Sequence, residues 1–387
     1  MIEALLIPHW EGCPPSNLQV LGVSFGERII QQARKAGFKK ILQGPKLSDV
    51  PSQFLILSPN ILLSDAGWRR LNSLEPREQT LTVPSETNCL AIIRCQDTDF
   101  VSRTLEESDS YSILLTKLSA QLGRETISLA KRDWARFESP SQRPHVEAWL
   151  LRGLIKDSEG FMSRYVERKI SLSVTRKLVN TPVTPNAMTF LSLAIGIVGA
   201  FCFIPAKNSS HLVGAFLFWL HSVLDGCDGE LARLKFAESR WGGLLDFWGD
   251  NVVHAAVFSA IAAGVYIKKP SRAPVLLAAS AVSGTLLSAS MVYWTTMRSK
   301  PADGPLFTSV IKSSSPHLGN FQPAEKIADL LARRDFIYLV GALAMAGRVK
   351  WFLWMGSIGA PLYFLALAAL SLKNSTSMPN MPNQLVT

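Results

Sequence analysis

Four aspartates, Asp225, Asp228, Asp246 and Asp250, fall inside the most apolar half of a 387-residue chain. An ionised carboxylate at the centre of a bilayer costs on the order of 2.5–3.5 kcal/mol or more, so four of them need something that neutralises them. On helices, Asp225 and Asp228 are three residues apart and share a face, while Asp246 and Asp250, four apart, share a face of the next helix. Two facing helices would bring the four carboxylates to one point. Oxygen-only ligands of that kind suit hard divalent cations, magnesium or manganese rather than zinc, because no His or Cys cluster accompanies them. His221 and Cys227 lie nearby and read as packing or as support for the carboxylates. Gly226, Gly229, Gly242 and Gly243 would let a bulky substrate group or another backbone come close to both helices. Arg233 would sit near the helix end, where it could bind a phosphate or pair with an aspartate. Carboxylate-held cations beside an arginine are equipped for phosphoryl transfer: the cations neutralise phosphates and one carboxylate can deprotonate an attacking hydroxyl.

The elements that must position these residues are membrane helices. Apolar runs near bilayer length occur at 187–206, 214–234, 244–267, 273–294 and 351–370, with a shorter one at 336–347. Six transmembrane helices are therefore expected over 187–372, with both ends on one side. Under that topology Arg233, Lys235 and Arg240 face the cytosol, while Lys207, Lys268, Lys269, Arg272, Arg348 and Lys350 lie outside. The KKPSR turn at 268–272 is the main violation of the positive-inside bias. Residues 146–186 read as a linker with interfacial amphipathic helices, carrying Arg164, Arg168, Lys169, Arg176 and Lys177. Arg164, Arg168, Lys169 and Arg298 are candidates to hold an acceptor phosphate. The net charge of +10 is concentrated beside the first span, which points to anionic headgroups or substrates rather than nucleic acid. The five cysteines are scattered without metal spacing and are expected to be reduced.

Residues 1–145 have a different character. Strand candidates at 4–10, 39–44, 54–59 and 89–95, a helix over 25–37 and a charged, helical 103–138 suggest a cytosolic, doubly wound α/β domain. The opening MIEALLIPHWEG lacks the pattern of a secretory signal. SPSQRPHVE (139–147) has linker composition, and 373–387 reads as a disordered tail.

The spacing D-x2-D-G-x2-A-R-x8-G-x3-D-x3-D, filled by Asp225, Asp228, Gly229, Ala232, Arg233, Gly242, Asp246 and Asp250, resembles the signature of the CDP-alcohol phosphotransferase family at every fixed position. TPVTPN (181–186) looks like that family's entry motif. The resemblance implies six transmembrane helices, a homodimer in membrane lipid, an active site facing the cytosol, and transfer of a substituted phosphate from a CDP-alcohol to an acceptor hydroxyl with release of CMP. It implies that Asp225, Asp228 and Asp246 hold two divalent cations and that Asp250 is the general base and possible further ligand. Gly229, Ala232, Arg233 and Gly242, with Asp225, would line the cytidine diphosphate pocket. ALLI followed by LGVSFGERIIQQARKAGFKKIL, and FLILSPNILL, are similar to sugar-nucleotide and inositol-phosphate cytidylyltransferases. The glycine-rich, basic triphosphate loop of those enzymes is replaced here by PHWEGCPPSN, and their metal-binding aspartate by Ser58, Pro59 and Asn60. The first half therefore reads as a nucleotidyltransferase-like domain that has lost catalysis. The fusion resembles the bifunctional inositol-phosphate cytidylyltransferase and di-myo-inositol phosphate phosphate synthases. CDP-diacylglycerol and CDP-inositol both stand as donors, and a CDP-alcohol-binding scaffold without turnover is the alternative from another class.

Overall fold

The structure, a computed structural model, describes residues 2, 4–8, 17–43, 52–74, 79–84, 90–155, 161–297 and 336–376. It divides into two compact units, Met1–Leu154 and Ile155–Thr387.

The first unit runs β1 (Ala4–Ile7), β2 (Gln19–Val20), β3 (Val23–Ser24), α1 (Phe25–Lys35), β4 (Lys40–Gln43), β5 (Gln53–Leu57), β6 (Ile61–Leu63) and α2 (Asp65–Asn72). It continues with β7 (Thr80–Pro84), β8 (Leu90–Arg94), α3 (Thr98–Glu106), α4 (Tyr111–Gln121), β9 (Gly123–Ile127), β10 (Trp134–Arg136) and α5 (Arg143–Gly153). Six strands form one sheet in the order β4-β1-β5-β8-β7-β9. In register, Leu5 lies opposite Ile41 and Leu55 in parallel pairs, whereas β8 runs antiparallel to β5 and β7, so the sheet is mixed. Alternate residues Ala4, Leu6, Phe54, Ile56, Ala91 and Ile93 share one face and pack on Val101, Leu105, Leu114 and Leu118 of α3 and α4, as the two-residue period of strands requires. Helix α1 starts where Ser24 accepts a bond from the Glu27 amide. Its buried Arg28 donates through Nη2 to the carbonyls of Val20 and Leu21, at 2.8 and 3.0 Å, beneath a turn in which Leu21 and Gly22 have left-handed backbones. Burial lowers the Arg28 pKa to about 10, which leaves the guanidinium charged at neutral pH.

Two expectations for this unit are corrected. The helical reading of 103–138 holds only as far as Gln121, because 123–127 and 134–136 are strands. The sequence GRETI sits on the sheet edge, half exposed, and has no apolar run to reveal it. The linker expected at 139–147 is ordered: Pro140–Gln142 form a 3-10 turn and α5 follows, with Val146, Glu147 and Leu150 buried, so the division falls after Leu154. The loop PHWEGCPPSN lies mostly outside the described residues.

The second unit is helical: α6 (Arg168–Leu178), α7 (Pro185–Phe201), α8 (Asn208–Leu234), α9 (Arg240–Lys268), α10 (Arg272–Val292), α11 (Phe336–Met345) and α12 (Lys350–Thr376). Three helical stretches, Arg240–Lys268, Arg272–Thr295 and Lys350–Ala369, are long and apolar enough to cross a membrane; α7 and α11 are apolar but shorter. Helix α8 has the length, and Asp225, Asp228, Glu230 and Arg233 lower its hydropathy. Helix α12 continues to Thr376, beyond the start expected for the tail. The core between helices is built from Phe218, Val253, Val257, Phe258, Val340 and Phe352. The turn from α8 to α9 is fixed by two features: Phe236 is left-handed (φ 53°), and Lys235 Nζ donates to the carbonyls of Thr181 and Val183, each at 2.8 Å. TPVTPN is therefore tied to the end of α8, and Thr184 caps α7 by accepting from the Ala187 amide.

Candidate active site

Helices α8 and α9 bring three of the four aspartates together. One carboxylate oxygen from each of Asp225, Asp228 and Asp246 lies within 4.8 Å of the others. Asp225 and Asp228 are 4 and 5% exposed. Asp228 is held by the Thr189 hydroxyl of α7, which donates to Oδ2, and by the Gly229 amide, which donates to Oδ1. Asp246 Oδ1 is buried and has no hydrogen-bond partner among the described residues. Three converging carboxylates with a buried, unsatisfied oxygen fit a hard divalent cation and nothing softer, since only oxygen is offered.

Asp250 lies one helical turn further along α9 from Asp246. Its Oδ1 lies 3.4 Å from His221 Nε2, and His221 Nδ1 is 3.0 Å from the Ser192 carbonyl. A carbonyl can only accept, so Nδ1 carries the proton and Nε2 is turned toward Asp250. Three of the four carboxylates expected to converge thus meet within 4.8 Å, and the fourth, Asp250, faces His221, which is 2% exposed.

The glycines divide by what they face. A Cβ on Gly229 would meet Arg233 Nη1 at 3.2 Å, so this position leaves room for the arginine to fold back over its own helix. A Cβ on Gly226 would meet Arg168 Nη1 at 3.0 Å, which makes Gly226 a packing position against α6. Gly242 lies beside Asn186 Oδ1 and donates its amide to Ser239, the cap of α9, whereas Gly243 faces open space. Ala232 is half-buried, and its carbonyl accepts from Ala237 in the turn.

Two features had no signal in spacing. Thr189 reaches Asp228 from 39 residues away. Glu230, fully buried, accepts from Arg168 Nη1 at 2.8 Å and from the hydroxyls of Ser171 and Thr175, each at 2.6 Å. Those three donors are spaced to share one face of α6. Arg168, expected among the acceptor-phosphate candidates, is therefore engaged with Glu230, while Arg298 lies outside the described residues. Cys227 packs, with Sγ near the Ser171 carbonyl, and Cys95, Cys202 and Cys227 are free thiols among the described residues.

Comparison with known proteins adds the lineage. Over 224 residues the chain is 33% identical to the bifunctional IPC transferase and DIPP synthase of Archaeoglobus fulgidus, covering 58% of this chain and 39% of that relative. Over 103 residues it is 31% identical to the phosphatidylinositol phosphate synthase of Mycobacteroides abscessus, covering 26% of this chain and 46% of the relative. The crystal structure of the Mycobacterium tuberculosis phosphatidylinositol phosphate synthase with manganese and citrate matches at a TM-score of 0.31 and 17% identity, over 52% of this chain and 88% of that one. The match spans about two fifths of the length of the first curated relatives. Residues 182–314 match the family model described as CDP-alcohol phosphatidyltransferase, and Asp225 to Asp250 lie wholly inside that segment.

Proposed function

We propose that this protein is a multi-pass integral membrane CDP-alcohol phosphotransferase, which moves a substituted phosphate from a CDP-alcohol to an acceptor hydroxyl and releases CMP. The observation that carries the reading is the buried meeting of Asp225, Asp228 and Asp246 between α8 and α9, within the matched segment. These three residues would hold two divalent cations, magnesium or manganese. When bound, such cations offset the charge of the diphosphate and polarise the phosphoryl group. Arg233, over Gly229, and the short side chains at Ala232 and Gly242 would receive the cytidine diphosphate. Asp250 takes the proton of the acceptor hydroxyl, whose oxygen then forms its bond to phosphorus as the bond to the bridging diphosphate oxygen breaks. His221, fixed by the Ser192 carbonyl, keeps the Asp250 carboxylate turned in a set direction.

The remaining parts of the proposal are six spans, a homodimer, and a cytosolic site. The two kinds of named relative support both donors, CDP-diacylglycerol and CDP-inositol, with a polyol, phosphorylated polyol or lipid alcohol as acceptor. CMP release by the purified protein, with each donor in turn and with magnesium or manganese, tests the reading. Metal-dependent CMP formation is expected. Metal-dependent nucleotide binding without turnover against a full acceptor panel would instead leave a CDP-alcohol-binding scaffold.

A further inference from the structure

The positive-inside bias breaks down at one end of the helical unit. Lys207, Lys268, Lys269, Arg272, Arg348 and Lys350 cluster in the segments 202–213, 264–273 and 345–352, which contain no aspartate or glutamate. The structure brings these segments to a single place: a cavity of ≈220 Å³ is walled by Asn208 and His211 from α8, Gly264 and Lys268 from α9, and Gly347 and Lys350 at the start of α12. A second cavity, ≈520 Å³, lies beside Tyr266, Pro270 and Arg272. The floor of the first is kept narrow because Gly264 abuts the Phe203 and Ile204 carbonyls, where a Cβ would come within 2.7 Å.

Three cations sit where helix dipoles disfavour them. Lys207, Arg272 and Lys350 flank the N-termini of α8, α10 and α12, the ends that carry positive partial charge. With no carboxylate in the neighbouring segments, an external anion is the partner that this end accommodates. The distance shows where such an anion would be. Lys268 follows Asp246 by 22 residues on the one helix α9, which at ~1.5 Å per residue is about 33 Å, close to the ~30 Å thickness of a bilayer core. Tyr266, Trp351 and Trp354, 46, 52 and 51% exposed, stand at the same end, the level at which amphipathic aromatic rings meet headgroups.

We propose that this basic cavity, distant from the carboxylates, binds the phosphate of an anionic membrane lipid headgroup. The inference rests on the membrane reading of α9, α10 and α12. The exposed aromatic residues favour lipid over free phosphate as the source, and Lys268 with Lys350 would supply the charge.

The test uses the full-length protein in phosphatidylcholine nanodiscs with and without phosphatidylglycerol, with bound lipid counted by native mass spectrometry after release. Selective retention of phosphatidylglycerol is expected, with a rise in Tm. In K268Q/K350Q retention should fall on the order of tenfold or more. K269Q, outside the cavity lining, should retain lipid as the wild type does. CMP release in phosphatidylcholine alone should be unchanged in K268Q/K350Q, which also shows that the variant is folded; if it is not, Lys350→Gln alone carries the comparison. Equal retention of both lipids, or an equal loss in K269Q, would overturn the site. A shift of Tm by inorganic phosphate in detergent as large as that by phosphatidylglycerol would overturn the lipid assignment. Recovery of the protein in nanodiscs checks the membrane reading separately.

Discussion

At the scale of single residues, Asp225, Asp228 and Asp246 meet to form an acidic centre, and Asp250, one turn further along α9, faces His221. That arrangement suits a division of labour, because a carboxylate shared among cations is a poor proton acceptor, whereas one not so shared can take a proton. Asp250→Asn keeps the shape and removes the base. CMP release should drop by on the order of 10²-fold or more, while binding of the CDP-alcohol, measured by calorimetry with metal present, stays within a few-fold. A wild-type rate in that variant would refute the assignment of Asp250. The eight motif positions were legible because they lie on two consecutive helices joined by a short turn, where spacing in sequence translates directly into position on a face. Thr189 and Glu230 were not, since their partners come from helices 39 or more residues away and a threonine or glutamate has no spacing to betray its partner.

Among the elements, α6 was legible as amphipathic, but its attachment was not. Glu230 fastens three positions of α6 to α8 in a buried cluster. Glu230→Ala would take the carboxylate from the half-buried Arg168 and the acceptor from the buried Ser171 and Thr175 hydroxyls, at a cost of about 3 kcal/mol, whereas replacing Arg168 and Glu230 together by apolar residues of similar volume removes much of that penalty. Thermal denaturation in detergent should thus rank wild type and R168M/E230L well above E230A, and equal stability for E230A would show the pair to be superficial. Helix contacts make a second comparison. A Cβ at Gly284 would lie 2.6 Å from the Pro361 nitrogen of α12, while Gly341 of α11 has nothing within 4 Å. Gly284→Ala should destabilise by about 1–3 kcal/mol through overpacking, and Gly341→Ala should be neutral or slightly stabilising through helix propensity. Tm values for the two variants check both. Two of the strands that went unread lack an apolar run: TLTVP alternates threonines with apolar residues and ends in proline, and GRETI lies at an edge where polar side chains are tolerated.

For the molecule as a whole, the question is whether its two units carry one activity or two. The α/β character of residues 1–154 was readable from its strands and α1, and its six-stranded sheet covers a buried apolar core. Loss of catalysis would therefore come from the site and not from the fold. At the end of β5, where a metal-binding carboxylate would be expected, Ser58 donates to Asn60 Oδ1 at 2.7 Å, and the Asn60 carbonyl accepts from the Phe137 amide. Neither side chain offers a charge to a cation, and the pair satisfies itself. The full-length protein given CTP, magnesium and an inositol or sugar phosphate should release no pyrophosphate above a protein-free control, while the same preparation forms CMP from a supplied CDP-alcohol. Pyrophosphate release that survives Asp250→Asn would show that the first unit is a working cytidylyltransferase. Its absence would mean that the donor must come from a separate cytidylyl-transferring enzyme, with the first unit kept for its structure or for binding.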